Sequence, residues 1–211
     1  MSIQNKIAFI GYSGHAYVCI ETAIHMVYDI LGYFDLKKVN RNPYELDYLG
    51  KEENFQKYGV PLFCSIGDNH IREKVYNTIS EISGDAFTSL RHPTAIVSVS
   101  ATICTNTLIS ARAVINALSV IETGCIINSG AIVEHECVVR AFAHIAPGAV
   151  LTGNVTVGKR SFIGAGAVIK PGVTIGNDVI IGAGAVVLED VPDNFTYVGN
   201  PAKKLLKKEL V

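Results

Sequence analysis

The sequence predicts an α/β domain followed by a parallel β-helix: a small Rossmann-like parallel sheet within residues 1–92, then a solenoid with a C-terminal tail over residues 93–211. Two observations predict the solenoid. Counting in sixes from Val97 reaches Ile103, Ile109, Ile115, Ile121, Ile127, Val133, Val139, Ile145, Leu151, Val157, Ile163, Ile169, Ile175, Ile181 and Val187 without meeting a polar residue. Two places before each stands a compact residue, in a series that runs from Ala95 through Ala131, Cys137 and Ala143 to Ala185. The third observation concerns the first unit, where short apolar runs closed by glycine or aspartate alternate with helix-length segments.

A period of six fits neither an α-helix, which repeats near 3.6, nor an ordinary strand, which repeats near 2. It fits a triangular coil of three hexapeptides, with a short strand on each side and both inward series filling the prism. Gly158, Gly164, Gly176 and Gly182, each directly after an inward aliphatic, suit corners where a Cβ would be crowded. At three hexapeptides per coil the repeat gives roughly five coils, stacked at the inter-strand spacing.

The elements of the first unit follow in order. Lys6 to Gly11 is an apolar run ending in glycine, followed by Tyr12-Ser-Gly-His15 and a helix-length segment from Ala16 to about Ile30, with apolar spacing at Val18, Thr22, Ile24 and Val27. A second strand over Leu31 to Phe34 ends in Asp35. Arg41 to Gln56, with Asn42-Pro43, reads as a surface loop without chemistry. A third strand, Val60 to Ile66, ends in Gly67-Asp-Asn69 ahead of a helix from Ile71 to Ile82. Such alternation implies a parallel sheet whose ligand site lies at the carboxyl ends of the strands, where segments 11–15, 35–37 and 67–69 converge. The first turn is not a dinucleotide fingerprint, because Ser13 and Ala16 stand where G-x-G-x-x-G needs glycine. A phosphate can still sit on the N–H groups opening the helix, with Ser13 and His15 as added donors and Asp35 accepting from a base or ribose. The competing reading is a Gly-Ser turn that merely caps a helix.

Arg91-His92-Pro93 marks the passage into the first coil, and Asp190-Val-Pro-Asp-Asn194 ends the repeat. Lys203, Lys204, Lys207 and Lys208 then make a basic tail, either a solvated end or a contact for a ligand's phosphates. Net charge is −1 and the pI is about 6.6, with no basic face for nucleic acid. No apolar run reaches membrane-spanning length, and Met1 to Asn5 leads into a strand instead of a signal peptide, so a cytoplasmic protein is expected. The five cysteines show no C-x-x-C spacing and read as reduced core thiols.

One stretch breaks the blandness of the repeat. Asn128 to His144 holds the repeat's two histidines, with His135-Glu136 at a corner after inward Val133 and His144 one residue before inward Ile145. By the counting of sides, His144 faces outward from the side opposite the corner of His135, so only a neighbouring subunit can bring the two together. An imidazole, with an ordinary pKa of about 6.5, is mostly neutral at cellular pH and beside a carboxylate suits a general base. A surface histidine at a corner is the alternative. Two histidines are too few for an interfacial zinc site, so no metal is expected.

These residues resemble the left-handed β-helix sugar acetyltransferases, the family of the bacillosamine N-acetyltransferases and the sialic acid O-acetyltransferases. The resemblance rests on Gly11-Tyr-Ser-Gly-His15, Ser65-Ile-Gly-Asp-Asn-His-Ile-Arg72, Val133-Glu-His-Glu-Cys-Val138 and Val198-Gly-Asn-Pro-Ala-Lys203, and covers nearly the whole chain. It implies a left-handed coil and a cytoplasmic homotrimer, with acetyl-CoA in the groove between neighbouring solenoids. It also implies His135 as catalytic base, Glu136 as its orienting carboxylate, His144 near the acetyl carbonyl, and Asn128 beside the reacting centre. Gly153 matches a backbone donor to the acetyl oxygen, and Ala165 and Ala183 match backbone contacts to CoA. Ser13, Gly14, His15, Asp35 and Gly67 match the nucleotide-sugar pocket. The implied activity is N-acetylation of a UDP-4-amino-4,6-dideoxy sugar; O-acetylation of sialic acid or another sugar hydroxyl, and a non-catalytic scaffold, are the rivals. Two positions depart from the family pattern: Arg140 replaces a common corner glycine, and Leu36 a frequent second acidic residue.

Overall fold

A computed structural model describes residues 5–84 and 86–205. The readings made for Met1 to Gln4, Lys207 and Lys208 lie outside the described residues. Strand β1 (Lys6–Ile10), helix α1 (Gly14–His25), β2 (Asp29–Phe34), β3 (Tyr48–Gly50), a 3-10 turn (Glu52–Lys57), β4 (Leu62–Cys64) and helix α2 (Asn69–Ser83) form the first unit. The strands pair in parallel in the order β3-β2-β1-β4. Central β1 is buried on both faces, as an unbroken Ile7-Ala-Phe-Ile10 run requires.

Several local expectations are corrected. Helix α1 ends at His25, and β2 begins already at Asp29. Its buried residues are Ala16, Cys19, Ile20, Thr22 and Ala23, with 16, 19, 20 and 23 a helical i, i+3, i+4, i+7 set; of the expected positions only Thr22 is buried, whereas Val18, Ile24 and Val27 are exposed. Small residues let α1 lie close on the sheet, so residue size is what the apolar spacing concealed. The stretch Arg41 to Gln56 is not merely a loop, since it carries edge strand β3 and most of the 3-10 turn. Strand β4 is shorter than Val60 to Ile66, and α2 starts at Asn69 because Asp68 caps it, accepting from the Ile71 N–H at 2.9 Å.

From Leu90 the chain winds as a triangular prism. The first face starts with Leu90–Arg91, the second with Ile96–Val97 and the third with Thr102–Ile103, and successive coils pair in parallel. The inward series form one core from Ala95 to Val191, in which only Val97, Ala101 and Ile103 of the first coil are partly buried. The four glycines of the sequence reading do relieve crowding, because a Cβ on Gly158 would collide with the Gly176 carbonyl of the next coil, and one on Gly164 with the backbone at Gly182. The left-handed turn residue of each corner lies two places later, at Arg160, Gly166, Asp178 and Gly184.

The first unit sits on the first face and on the corner joining the third face to the first. Outward positions of that face form the row Leu90, Leu108, Ile126, His144, Phe162 and Ile180, one residue per coil. Leu90, Leu108 and Ile126 are buried against α1 and β1, at a gain of about 1.5–3 kcal/mol for each large side chain. The covered part of the row ends at His144. At the corner, Asn106 Oδ1 accepts from the Cys64 N–H at 2.9 Å, and Asn69 Nδ2 donates to the Arg160 carbonyl at 2.8 Å. Arg160 also pairs with Glu73 of α2 and with Asp178. Sequence-distant residues are thereby locked around one edge of the prism.

Candidate active site

At the carboxyl ends of β1, β2 and β4 lies a cavity of about 400 Å³, lined by Gly11, Tyr12, Ser13, Asp35 and Leu36 among others. Helix α1 opens above it with Ser13 as N-cap, and the Ser13 side chain makes no capping hydrogen bond. Its hydroxyl and the first N–H groups of a twelve-residue helix are therefore available to an anion. Asp35 is already engaged: its two oxygens accept from the Tyr12 N–H at 3.1 Å and the Leu36 N–H at 2.7 Å. These bonds aim the carboxylate while leaving it acceptor capacity. Glu52 and Lys74 also line the cavity. Sequence reasoning missed both, since one lies in the supposed loop and the other is an ordinary helix lysine.

Below this cavity the two units meet. His15 packs on Gly67, where a Cβ would lie 3.3 Å from the His15 Cβ, and its ring centroid is 6.1 Å from that of His144. Asn128, one coil earlier, sets His144. Asn128 Oδ1 accepts from the Ser129 N–H at 2.8 Å, which turns the amide nitrogen toward His144 Nε2 at 3.1 Å. Nε2 is thus the acceptor, and a neutral His144 carries its proton on Nδ1. Burial, the Arg72 charge and His15 hold the His144 pKa down at about 3. Burial and the same arginine hold His15 at about 4. Both imidazoles are therefore neutral at cellular pH.

His135 stands elsewhere, at the corner joining the second face to the third, opposite the first face. Its Nδ1 lies 3.0 Å from Glu136 Oε2, so Nδ1–H donates to the carboxylate and the lone pair of the neutral ring is on Nε2. Both side chains are 58% exposed. The ring rests over Gly153 of the next coil, where a Cβ would lie 2.5 Å from Cε1 and 2.6 Å from Nε2. The Gly153 N–H donates to no protein acceptor among the described residues. A proton acceptor and a free amide donor are thus side by side.

The predicted site residues consequently fall into three groups. Ser13, Gly14, His15, Asp35, Gly67, Asn128 and His144 gather between the first unit and the first face, whereas His135, Glu136 and Gly153 share the distant corner. Ala165 and Ala183 are exposed on the corner between the first and second faces, one coil apart, and neither N–H is used by a backbone acceptor. Small side chains and N–H groups without a backbone acceptor leave that corner open to a ligand that carries carbonyl acceptors. Arg140, the departure at a corner, is tied to Glu122 at 2.7 Å. Among the described residues no three His, Cys, Asp or Glu side chains cluster closely enough to hold a metal ion, and no helix is long and apolar enough to cross a membrane.

Comparison with known proteins gives the family. The PglD N-terminal domain model matches residues 6–79, and the bacterial transferase hexapeptide model matches 136–171 and 154–189. The acetyltransferase domain of PglB from Neisseria gonorrhoeae is similar at 35% identity, covering 95% of this chain and 100% of that one, with a TM-score of 0.88. A further structure of that domain is a complex with acetyl coenzyme A. PerB from Caulobacter crescentus, solved with CoA and GDP-perosamine, is similar at 36% identity, covering 95% of this chain and 97% of that one, with a TM-score of 0.89. WeeI from Acinetobacter baumannii shares the fold, with a TM-score of 0.85 at 24% identity. With relatives of this identity aligned over nearly its full length, the chain belongs to the sugar acetyltransferases of the PglD type, built on a left-handed parallel β-helix.

Proposed function

We propose that this protein transfers the acetyl group of acetyl-CoA to the amino group of a nucleotide-linked sugar, a UDP-4-amino-4,6-dideoxy sugar, as an inter-subunit homotrimer. The observation that carries the reading is the His135 corner: an imidazole oriented by Glu136, with its Nε2 lone pair beside the free N–H of Gly153. In this scheme the amine nitrogen forms a bond to the thioester carbonyl carbon and gives a proton to His135 Nε2. The Gly153 N–H stabilises the oxyanion, a contribution of about 2.7–4 kcal/mol for one such donor. Collapse breaks the C–S bond, and the thiolate of CoA takes the proton from His135. No acyl-enzyme is needed, and every buried cysteine thiol near the site is pushed up by burial, which leaves no thiolate nucleophile.

The sugar nucleotide is read into the first unit. Its diphosphate suits the uncapped start of α1 and Ser13, its base or ribose suits Asp35, and the amino sugar would then extend past His15 and Gly67 toward His144. A guanosine nucleotide is the second reading, favoured by the PerB complex with GDP-perosamine. Thiol release from acetyl-CoA should be measured with UDP- and GDP-amino sugars, sialic acid and plain UDP-sugars. Release only with an amino sugar, giving an amide product by mass spectrometry, is expected. Acetylation of sialic acid or another sugar hydroxyl, or no release with any acceptor, overturns the proposal, and the nucleotide that supports turnover decides between the two bases.

A further inference from the structure

Arg72 is 1% exposed, yet no carboxylate among the described residues pairs with it. Each of its five N–H donors has an acceptor. Nε donates to the Gly124 carbonyl at 2.8 Å, Nη1 to the Ile66 and Gly67 carbonyls at 3.0 and 2.9 Å, and Nη2 to Asn69 Oδ1 and the Phe142 carbonyl at 2.8 Å each. Burying an unpaired charge is costly even when it is hydrogen-bonded. Its place in the first turn of α2 adds to the cost, because the helix dipole is positive there. Stability alone does not call for a cation at this point.

The five bonds join two parts of the candidate site. Ile66 and Gly67 form the loop on which His15 rests, while Gly124 and Phe142 are corners of successive coils, and Phe142 lies two residues before His144. The groups facing the guanidinium do not cancel its charge. Cys19, Cys64 and Cys125 are held as neutral thiols by burial, and the Asp68 carboxylate is turned to the Ile71 N–H. On the far side stand the His15 and His144 imidazoles.

We propose that Arg72 is a positioning residue of the acetyl-transfer site: its hydrogen bonds fix the acceptor loop against the His144 strand, and its unpaired charge disfavours a second cation, the unreactive ammonium form of the acceptor, in the space beside His15 and His144. This rests on the acetyltransferase reading for the amine, whereas the electrostatic part concerns the two imidazoles and needs no turnover. An amine attacks a thioester only when neutral, so a fixed cation nearby extends the useful pH range downward.

Three variants separate the effects. Arg72→Met removes fork and charge; Asn69→Asp sets a carboxylate on Nη2 without removing the guanidinium, at the loss of the donation to the Arg160 carbonyl; Arg72→Lys keeps the charge but not the fork. The acid limb of kcat/KM against pH is expected to move up by at least about half a pH unit in Arg72→Met and Asn69→Asp. Arg72→Lys should hold the limb in place while raising the acceptor KM several-fold. A limb unmoved in folded Arg72→Met or Asn69→Asp, or displaced in Arg72→Lys, overturns the inference. Imidazole ¹⁵N titration provides the reading that does not require activity: the His144 pKa should be higher in Arg72→Met than in wild type, and equal values overturn the electrostatic part. Absence of amine acetylation refutes the proposed function, whereas an unchanged His144 pKa in Arg72→Met refutes the electrostatic role of Arg72.

Discussion

Gly153→Ala tests the His135 corner without touching the imidazole or its carboxylate. The added methyl would lie 2.5 Å from His135 Cε1, against an ordinary carbon contact of about 3.5 Å, so the ring must move by about 1 Å. The ring is more than half exposed and yields outward without disturbing the core. Moving it draws Nδ1 away from Glu136, to which it is held at 3.0 Å. A displacement of about 1 Å in a catalytic group costs on the order of a hundredfold in rate, comparable to the lower end of the about 10²–10⁴-fold expected for His135→Ala. The backbone of Gly153 is outside the left-handed region, so alanine brings no backbone strain and restricts the unfolded chain, an effect of about 0.4–1 kcal/mol that offsets the cost of displacing the ring. The expected result is a kcat for thiol release lowered about a hundredfold, with an unchanged or slightly raised Tm. A folded variant with wild-type kcat would show that the imidazole does no chemistry where it stands.

Exchange of subunits between inactive His135→Ala and inactive His144→Ala proteins should restore activity, because some mixed interfaces carry one intact pair; proven exchange without recovery contradicts composite sites. The double variant His15→Ala with Asp35→Ala should raise the acceptor KM and leave acetyl-CoA affinity nearly unchanged by titration calorimetry, and an equal loss of both would contradict the division of labour between the two units. Gly158→Ala forces a methyl onto the Gly176 carbonyl and should destabilise the solenoid by about 1–3 kcal/mol or more, read as a lower Tm. Since His15 and His144 have folded pKa values of about 4 and about 3, below that of an unfolded imidazole, the unfolded chain binds protons first. Stability should then fall on acidification from about pH 6.5 toward pH 4, by up to about 1.4 kcal/mol per pH unit for each ring; His144→Gln should flatten the dependence of Tm on pH, and an equal slope would show that His144 is not the group responsible.

The repeat was legible because every inward slot answers to one local rule: small or aliphatic, on a fixed period, independent of the rest of the chain. The first unit was legible only as an order of elements. The buried face of α1 is set by how closely it lies on the sheet, and a rule of apolar spacing ranks Val18 and Ile24 above Ala16 and Ala23 although the contacts choose the reverse. Strand β3 was missed because a three-residue edge strand gains its identity from pairing with β2, which no local property of Tyr48 to Gly50 announces. Arg72 stood inside a motif used for recognition, but its burial depends on Gly124 and Phe142, more than fifty positions away. The outward row Leu90, Leu108 and Ile126 gave no signal of the face that the first unit covers, because the equivalent positions on the other faces are also mostly apolar, as at Ile96, Val114, Val120, Ile132, Val138 and Val150.

The same row explains why a histidine can serve at position 144. Had the first unit covered one coil more, that ring would be sealed beneath α1; had it covered one less, the ring would be open to water and free to take a proton. At the edge of the covered row it is buried enough to be held neutral, oriented by Asn128 from the coil below and flanked by Phe162 from the coil above, with ring centroids 5.0 Å apart. His135 has the opposite surroundings: an exposed corner, an adjacent carboxylate, and a glycine that makes room for the ring. In the proposed composite site a half-buried Nδ1–H donor from one subunit would therefore meet an exposed, carboxylate-backed acceptor from its neighbour. Proton transfer needs such a difference, because two equivalent imidazoles would compete for the same proton, whereas here only His135 is placed to gain it.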